Sequence, residues 1–277
     1  MDPSIDGRVA IITGGGRGLG RAMALGLAAA GAKIAITGSR QGAELAETAA
    51  DCARVGGAAC VFALTADVAS VADCERVVAA TAAKWGRVHI LVNNAGRGMT
   101  SINDTHVHTP TKFWDMDAAA VRGLIETNVI GVYTMARAAT PHLLAAGWGR
   151  IVNLSTSMAT MQRPGWWPYG VSKWAVEGAT VIMARDLADT AVTVNALLPG
   201  GATNTRMIPG NLGDIDRLGP GAIMAPEIMV PPMLYLASSL SDGKSGERYV
   251  AKLWDATLAP EQAAAQARFP CHRTRTY

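Results

Sequence analysis

Tyr169 and Lys173 stand four residues apart in the run Tyr169-Gly170-Val171-Ser172-Lys173. If this segment opens a helix, both side chains lie on one face. A phenol beside an ammonium can move a proton. The reference pKa of tyrosine, near ~10, is too high for ready exchange at neutral pH, and an adjacent positive charge favours the phenolate. Lowering that pKa by about 3 units requires roughly 4 kcal/mol of differential stabilisation. The chemistry it suits is one in which an oxygen, such as that of a ketone, gains negative charge and must be protonated. Taken alone, the pair is equally a surface tyrosine with a solvated lysine one turn on, so the rest of the chain has to decide.

A second constellation lies near the N-terminus. The run Thr13-Gly14-Gly15-Gly16-Arg17-Gly18-Leu19-Gly20 follows the short apolar stretch Val9–Ile12 and precedes a helical stretch from Leu19 to Ala30. Glycine permits a sharp turn and close approach of a pyrophosphate to the helix N-terminus, where free N–H groups and the helix dipole favour negative charge. In this strand–turn–helix setting the cluster reads as a nucleotide-binding loop, not a bare turn.

The elements that must position these residues alternate along the chain. Strands are expected at 9–12, 33–37, 59–64, 88–92, 151–154 and 192–197. Helices are expected at 43–55, 71–85, 118–146 and 169–189, besides the one after the glycine loop. Apolar strands alternating with helices indicate a parallel sheet covered on both faces. The fold expected is α/β, a doubly wound parallel sheet, Rossmann-like, in a single domain over residues 1–253. Residues 254–277 form a C-terminal extension with a short helix at Pro260–Arg268.

The ordered set of motifs resembles the short-chain dehydrogenases/reductases over about residues 7–250. The TGxxxGxG spacing of the glycine loop, Asp67-Val68 after the third strand and Asn93-Asn94-Ala95-Gly96 after the fourth belong to this pattern. So do Asn128, the YxxxK pair Tyr169/Lys173, and Pro199-Gly200. The resemblance implies a nicotinamide cofactor and a hydride exchanged between it and an alcohol–carbonyl pair. Tyr169 would be the acid/base, and Lys173 its electrostatic partner and holder of the nicotinamide ribose. Asn128 would anchor a proton-relay water. Gly14, Gly18, Leu19, Gly20, Asp67, Val68, Asn94, Ala95, Gly96, Pro199 and Gly200 would line the cofactor.

The family also places a hydroxyl after the fifth strand, usually about thirteen positions before the tyrosine. That count falls on Thr156, with Ser155 and Ser157 one residue to either side. Ser157 is favoured as the donor to the substrate carbonyl, because Leu154 ends the apolar run and Thr156 has the higher strand propensity. Relatives assemble through the helices corresponding to 118–146 and 169–189, which implies a homodimer or homotetramer. A sugar-nucleotide epimerase on the same fold is disfavoured by the short C-terminal part. A non-catalytic cofactor sensor is disfavoured because Tyr169 and Lys173 are both present.

Cofactor choice can be read from the end of the second strand. NAD-preferring sites place Asp or Glu there to accept from the ribose hydroxyls. Here Gly38-Ser39-Arg40 puts glycine at that position, and Arg40 with Arg17 offers charged forks suited to a 2′-phosphate. NADP(H) is therefore expected over NAD(H).

Composition narrows the remaining possibilities. Of 277 residues, 49% are hydrophobic and 17% charged, which excludes a disordered chain. The 25 Lys and Arg against 22 Asp and Glu leave a net charge of +3, too small to argue for nucleic acid. The four cysteines, Cys52, Cys60, Cys74 and Cys271, form no CxxC pair, and the five histidines have no metal-ligand spacing. No basic-then-apolar leader opens the chain and no run of ~18 apolar residues occurs, so a cytoplasmic protein without a membrane contact is expected.

Three segments interrupt the βα rhythm. Arg97–Asp115 is a long polar loop, Gly201–Pro226 carries five Gly and three Pro and reads as a lid, and the tail is expected to pack on a neighbouring subunit or over the site. Trp166, Trp167, Met99, Trp114, Met158, Met161 and Met207 suggest an apolar substrate pocket, although Met and Trp are also ordinary core fillers.

Overall fold

Seven short segments, most of them runs of apolar residues, pair side by side and bury both faces of the central strands under helices. They are β1 (Val9–Ile12), β2 (Lys33–Gly38), β3 (Val61–Thr65), β4 (Ile90–Asn93), β5 (Gly149–Leu154), β6 (Val192–Leu198) and β7 (Glu247–Val250). The computed structural model describes residues 3–205 and 223–271. The seven strands are parallel in the order β3-β2-β1-β4-β5-β6-β7, and β8 (Arg268–Pro270) adds an antiparallel edge beside β7. The result is a single-domain doubly wound α/β fold, as the alternation of apolar strands and helices predicts.

Helices cover both faces. On one lie α1 (Gly18–Ala29), α2 (Ala43–Gly56) and α8 (Val230–Leu236), around a core of Met23, Leu27, Ile34, Ile36, Val92 and Leu236. On the other lie α3 (Val71–Trp85), α5 (Gly131–Ala145) and α7 (Trp167–Asp186), around Ile11, Val77, Leu91, Leu143 and Val194. β1 pairs with β2 on one side and β4 on the other. The chain winds outward in opposite senses from that point, so a crevice opens at the C-terminal ends of β1 and β4, where open α/β sheets bind ligands.

Two features differ from the expected elements. The single helix expected over 118–146 is divided into α4 (Ala118–Ile125), a π-helical turn at Glu126–Ile130, and α5. The Gly131 Cα lies against Val68, where a Cβ would come within 2.6 Å of the Val68 side chain. The turn thus ends where the helix packs closely on Val68 in the loop after β3. Periodicity cannot reveal such an insertion, because the apolar pattern is nearly the same on either side of it.

The second difference is β8, too short and too polar in sequence to announce itself. The tail holds the short helix expected there. Its described part, α9 (Pro260–Ala267) and β8, packs on α8 and β7 of its own chain, burying Ala263, Ala264 and Ala267. Met207, His272, Tyr277 and most of the glycine-rich loop at 201–226 lie outside the described residues.

Candidate active site

The glycine loop is built by close approach. Gly14 (φ +64°) and Gly18 (φ +53°) adopt the left-handed region that side chains disfavour. A Cβ on Gly15 would lie 2.8 Å from Ile36, and one on Gly20 would run into the Gly14 carbonyl. The Thr13 hydroxyl accepts from the amides of Asn94 and Ala95, each at 3.0 Å. The Asn94 side chain donates to the carbonyls of Thr13 and Gly14, both at 2.9 Å. Asn94 therefore braces the loop from behind with both of its donor hydrogens. Leu19 packs onto the core beneath. Arg17 is the N-cap of α1, with extended backbone and no side-chain bond to the helix amides, so the first amides of the helix keep their donors for an anion. This cradle of close backbone and uncapped amides fits a dinucleotide pyrophosphate.

Around it stand the other residues expected at a cofactor. Ser39 and Arg40 are exposed at the end of β2. Gly38 needs no special backbone, and a Cβ there would meet nothing nearer than 3.6 Å. Arg17 pairs with Glu44 at 3.3 Å, an acid at the start of α2 that the sequence pattern did not single out. Asp67 is half-buried and accepts from the Ala69 amide at 3.0 Å, while Val68 is buried. Ala95 and Gly96 follow β4 directly. Gly200 (φ +90°) turns the chain after β6, and Pro199 accepts from the Lys252 amide at 3.0 Å.

On the facing wall, Tyr169 and Lys173 occupy one face of α7, both buried. The Lys173 ammonium donates to the Leu154 carbonyl at 2.7 Å, fixing α7 to the end of β5, and lies 5.8 Å from the centre of the Tyr169 ring. Burial pushes the phenol up to about 12, opposed by a hydrogen bond with the Thr156 side chain. Burial alone lowers Lys173 to about 8. The sequence argument has the ammonium pulling the phenol down. In the structure burial outweighs that attraction, and each group is moved toward its neutral form.

Of the three adjacent hydroxyls, Thr156 is the one brought to Tyr169. Ser157, favoured from sequence, is the N-cap of the short helix α6 (Met158–Met161) and bonds Thr160 through both the amide and the hydroxyl. Ser155 turns away and donates to the buried carboxylate of Glu177 at 2.7 Å. β5 ends at Leu154, as the apolar run predicts, and of the three hydroxyls that follow it is the Thr156 side chain that interacts with the Tyr169 phenol.

Asn128 sits in the π-helical turn and is fully engaged. It accepts from the Arg97 amide at 2.7 Å and donates to the Arg97 carbonyl at 3.0 Å and the Ser172 hydroxyl at 3.1 Å. Ser172 in turn donates to the Tyr169 carbonyl at 2.7 Å. The loop after β4 is thereby tied to α7.

The long loop at 97–115 wraps the tyrosine. Met99 and Leu124 pack with Tyr169, and the Trp166 ring meets it edge-on with centres 5.8 Å apart. His106 lies 5.3 Å beyond, buried, with its Nδ1 against the Asn103 carbonyl. Trp114, Met158 and Trp167, expected at a pocket, are partly exposed to solvent, and Met161 is buried in packing. Among the described residues no group of His, Cys, Asp or Glu is arranged to hold a metal, and no helix is long and apolar enough to cross a membrane.

Comparison with known proteins places this arrangement. The model of the short chain dehydrogenase family matches residues 8–212. A 3-oxoacyl-[acyl-carrier-protein] reductase of Synechocystis is 32% identical over 71% of this chain and 75% of its own. A 2-dehydro-3-deoxy-D-gluconate 5-dehydrogenase of Escherichia coli is 31% identical over 88% of this chain and 93% of its own. Among solved structures, a variant of a Serratia marcescens short-chain dehydrogenase/reductase superposes with a TM-score of 0.76 at 29% identity, over 89% of this chain and 96% of that one. A Sinorhizobium meliloti dehydrogenase/reductase gives 0.77 at 28% identity, over 90% and 95%. With its glycine cradle and its buried Tyr169–Lys173 pair facing one crevice, the chain belongs to the short-chain dehydrogenases/reductases and is an NAD(P)-dependent oxidoreductase.

Proposed function

We propose that this enzyme is an NADP(H)-preferring reductase of a largely apolar ketone, working on the alcohol–carbonyl pair at Tyr169. The observation that carries the reading is the burial of the Tyr169 phenol, one turn from Lys173, against an apolar wall of Met99, Leu124 and Trp166, with Thr156 as its side-chain partner. When bound, the nicotinamide supplies or accepts the hydride. The chain does the rest. The uncapped start of α1 would hold the pyrophosphate, and Ser39, Arg40 and Arg17 the 2′-phosphate. Lys173, fixed through one donor to Leu154, keeps two donors for the nicotinamide ribose.

At the substrate oxygen, Thr156 and Tyr169 donate hydrogen bonds to the charge that develops as the carbonyl is reduced. Tyr169 then releases its proton to that oxygen. Asn128 would support the relay that restores the proton by fixing the Arg97 backbone, where its side chain is fully engaged. Ile130, Tyr133 and Leu144 on one helix and Val171 and Ile182 on α7 are exposed apolar side chains, which supports assembly into a homodimer or homotetramer through these faces. A cytoplasmic location accords with four reduced, buried cysteines.

Replacing Tyr169 by Phe removes one hydroxyl and tests the mechanism. Folding and cofactor binding should persist while turnover of a ketone panel falls by at least about 10²-fold. Turnover near wild type would overturn it.

A further inference from the structure

Beneath the Ser155–Thr156 segment lies a buried ion pair that the reaction does not call for. Glu177 is one turn beyond Lys173 on the same face of α7 and is wholly buried. Arg248, on β7, is also buried, and its Nε lies 3.5 Å from Glu177 Oε1. A buried pair is seldom more stabilising than well-packed apolar side chains of similar volume. Its contacts here are specific. Glu177 Oε1 accepts from the Ser155 hydroxyl at 2.7 Å, and Arg248 Nη2 donates to the Thr156 carbonyl at 3.1 Å. One member of the pair therefore holds residue 155 by its side chain and the other holds residue 156 by its backbone. β8 extends the sheet beyond β7, with Phe269 opposite Arg248 in the ladder, and Cys271 is buried near both charges.

We propose that Glu177 and Arg248 are positioning residues that set the orientation of the Thr156 hydroxyl toward the substrate carbonyl. With its carbonyl fixed from β7 and its preceding side chain fixed from α7, the Thr156 backbone cannot rotate about its own axis, and its hydroxyl is held toward Tyr169. The bond from Arg248 is bound to geometry, because a guanidinium reaches Glu177 through Nε and Thr156 through Nη2 at once. A lysine side chain ends near the position of the guanidinium carbon, one bond short of the Nη2 that reaches the Thr156 carbonyl, so its ammonium stays beside Glu177 and withdraws from Thr156. The pair thus couples the C-terminal edge of the sheet to the carbonyl-binding group. This rests on Thr156 being the carbonyl donor.

The test is a double-mutant cycle on kcat between Arg248→Lys and Thr156→Ala, with NADPH dissociation constant and Tm measured for each protein. Arg248→Lys keeps the charge beside Glu177 and loses the Thr156 contact. We expect kcat to fall by about 10-fold or more, the scale of a misplaced catalytic hydrogen bond, with the dissociation constant unchanged within about twofold. In the Thr156→Ala background the same substitution should have no further effect, since the group through which it acts is gone. An equal fold-loss in both backgrounds, or wild-type kcat in Arg248→Lys, overturns the positioning role alone. Wild-type kcat in Thr156→Ala overturns the donor assignment itself and the positioning role with it. If Arg248→Lys does not fold, the charge-free pair Glu177→Leu/Arg248→Met takes its place in the same cycle, with the same expectation and the same refutation.

Discussion

Gly38→Asp puts the cofactor reading to a direct test. The fold should accept the change. Gly38 is not in the left-handed region, and a Cβ there would be 3.6 Å from the Arg40 carbonyl and 3.7–3.8 Å from the Leu45 methyls, ordinary contact distances. Its carbonyl still accepts from the Ala66 amide at 2.9 Å, a bond the side chain does not disturb. The new carboxylate would stand where a 2′-phosphate is expected, within reach of the Arg40 guanidinium. Two unit charges at 4 Å interact by about 1 kcal/mol in bulk water and about 4 kcal/mol at the effective dielectric of a protein surface. Ser39 and Arg40 are exposed, so the lower part of that range applies. A penalty of about 1–2 kcal/mol corresponds to roughly a 5- to 30-fold loss in kcat/KM for NADPH. For NADH the aspartate can accept from the ribose hydroxyls, and kcat/KM should hold or rise. Steady-state kinetics with both cofactors at fixed ketone decides it. NADPH kcat/KM unchanged in the variant, or higher kcat/KM with NADH in the wild type, would refute the reasoning.

The remaining expectations concern the hydroxyls, pH and the tail. In an alanine series, Thr156→Ala should show the dominant loss of turnover and Thr156→Ser should retain most of it. Ser157→Ala should cost about 1 kcal/mol of stability through the lost cap and little activity, as read by Tm and kcat; equal losses at 156 and 157 would contradict the geometry. Lys173 has a pKa of about 8 against its ordinary 10.5. In the free enzyme its ammonium is therefore lost above about pH 8, and kcat/KM for reduction should fall there, while Lys173→Arg, which stays charged, should lack that limb. For stability the sign is opposite: between about pH 8 and 10.5 the unfolded chain binds the extra proton, so the contribution of Lys173 rises with pH across that window. Tyr169, at about 12 against 10.0, loses stability for the fold above pH 10; a pH series of Tm for wild type and Lys173→Met separates the two. Truncation after Lys252 removes β8, α9 and Trp254, whose ring lies 5.6 Å from Tyr235, and should lower Tm by several degrees. An unchanged Tm would show that the tail does not support the sheet.

Much of this enzyme is determined locally. Six strands and the helices at 43–56 and 71–85 follow from runs of apolar residues and their periods, which are properties of ten or so neighbouring residues. The glycine loop is legible for the same reason: only glycine satisfies its positive φ at Gly14 and Gly18, and only its absent side chain allows Ile36 and Asn94 to approach. Tyr169 and Lys173 are four apart on one helix, so their shared face needs no knowledge of the fold. The assignments that required the tertiary structure all depend on partners distant in sequence. Whether Ser155, Thr156 or Ser157 meets Tyr169 is set by how β5 ends against α7. The direction of the pKa shifts at Tyr169 and Lys173 is set by how completely the wall from 97 to 125 and Trp166 removes them from water. The role of Asn94 as a brace depends on the proximity of β1 to β4. The buried Glu177–Arg248 pair joins α7 to β7 across more than seventy residues, and β8 is a strand only because β7 offers an edge to pair with. Local pattern selects the elements, whereas burial and long-range pairing, which no window of sequence contains, decide which groups face one another and in what charge state.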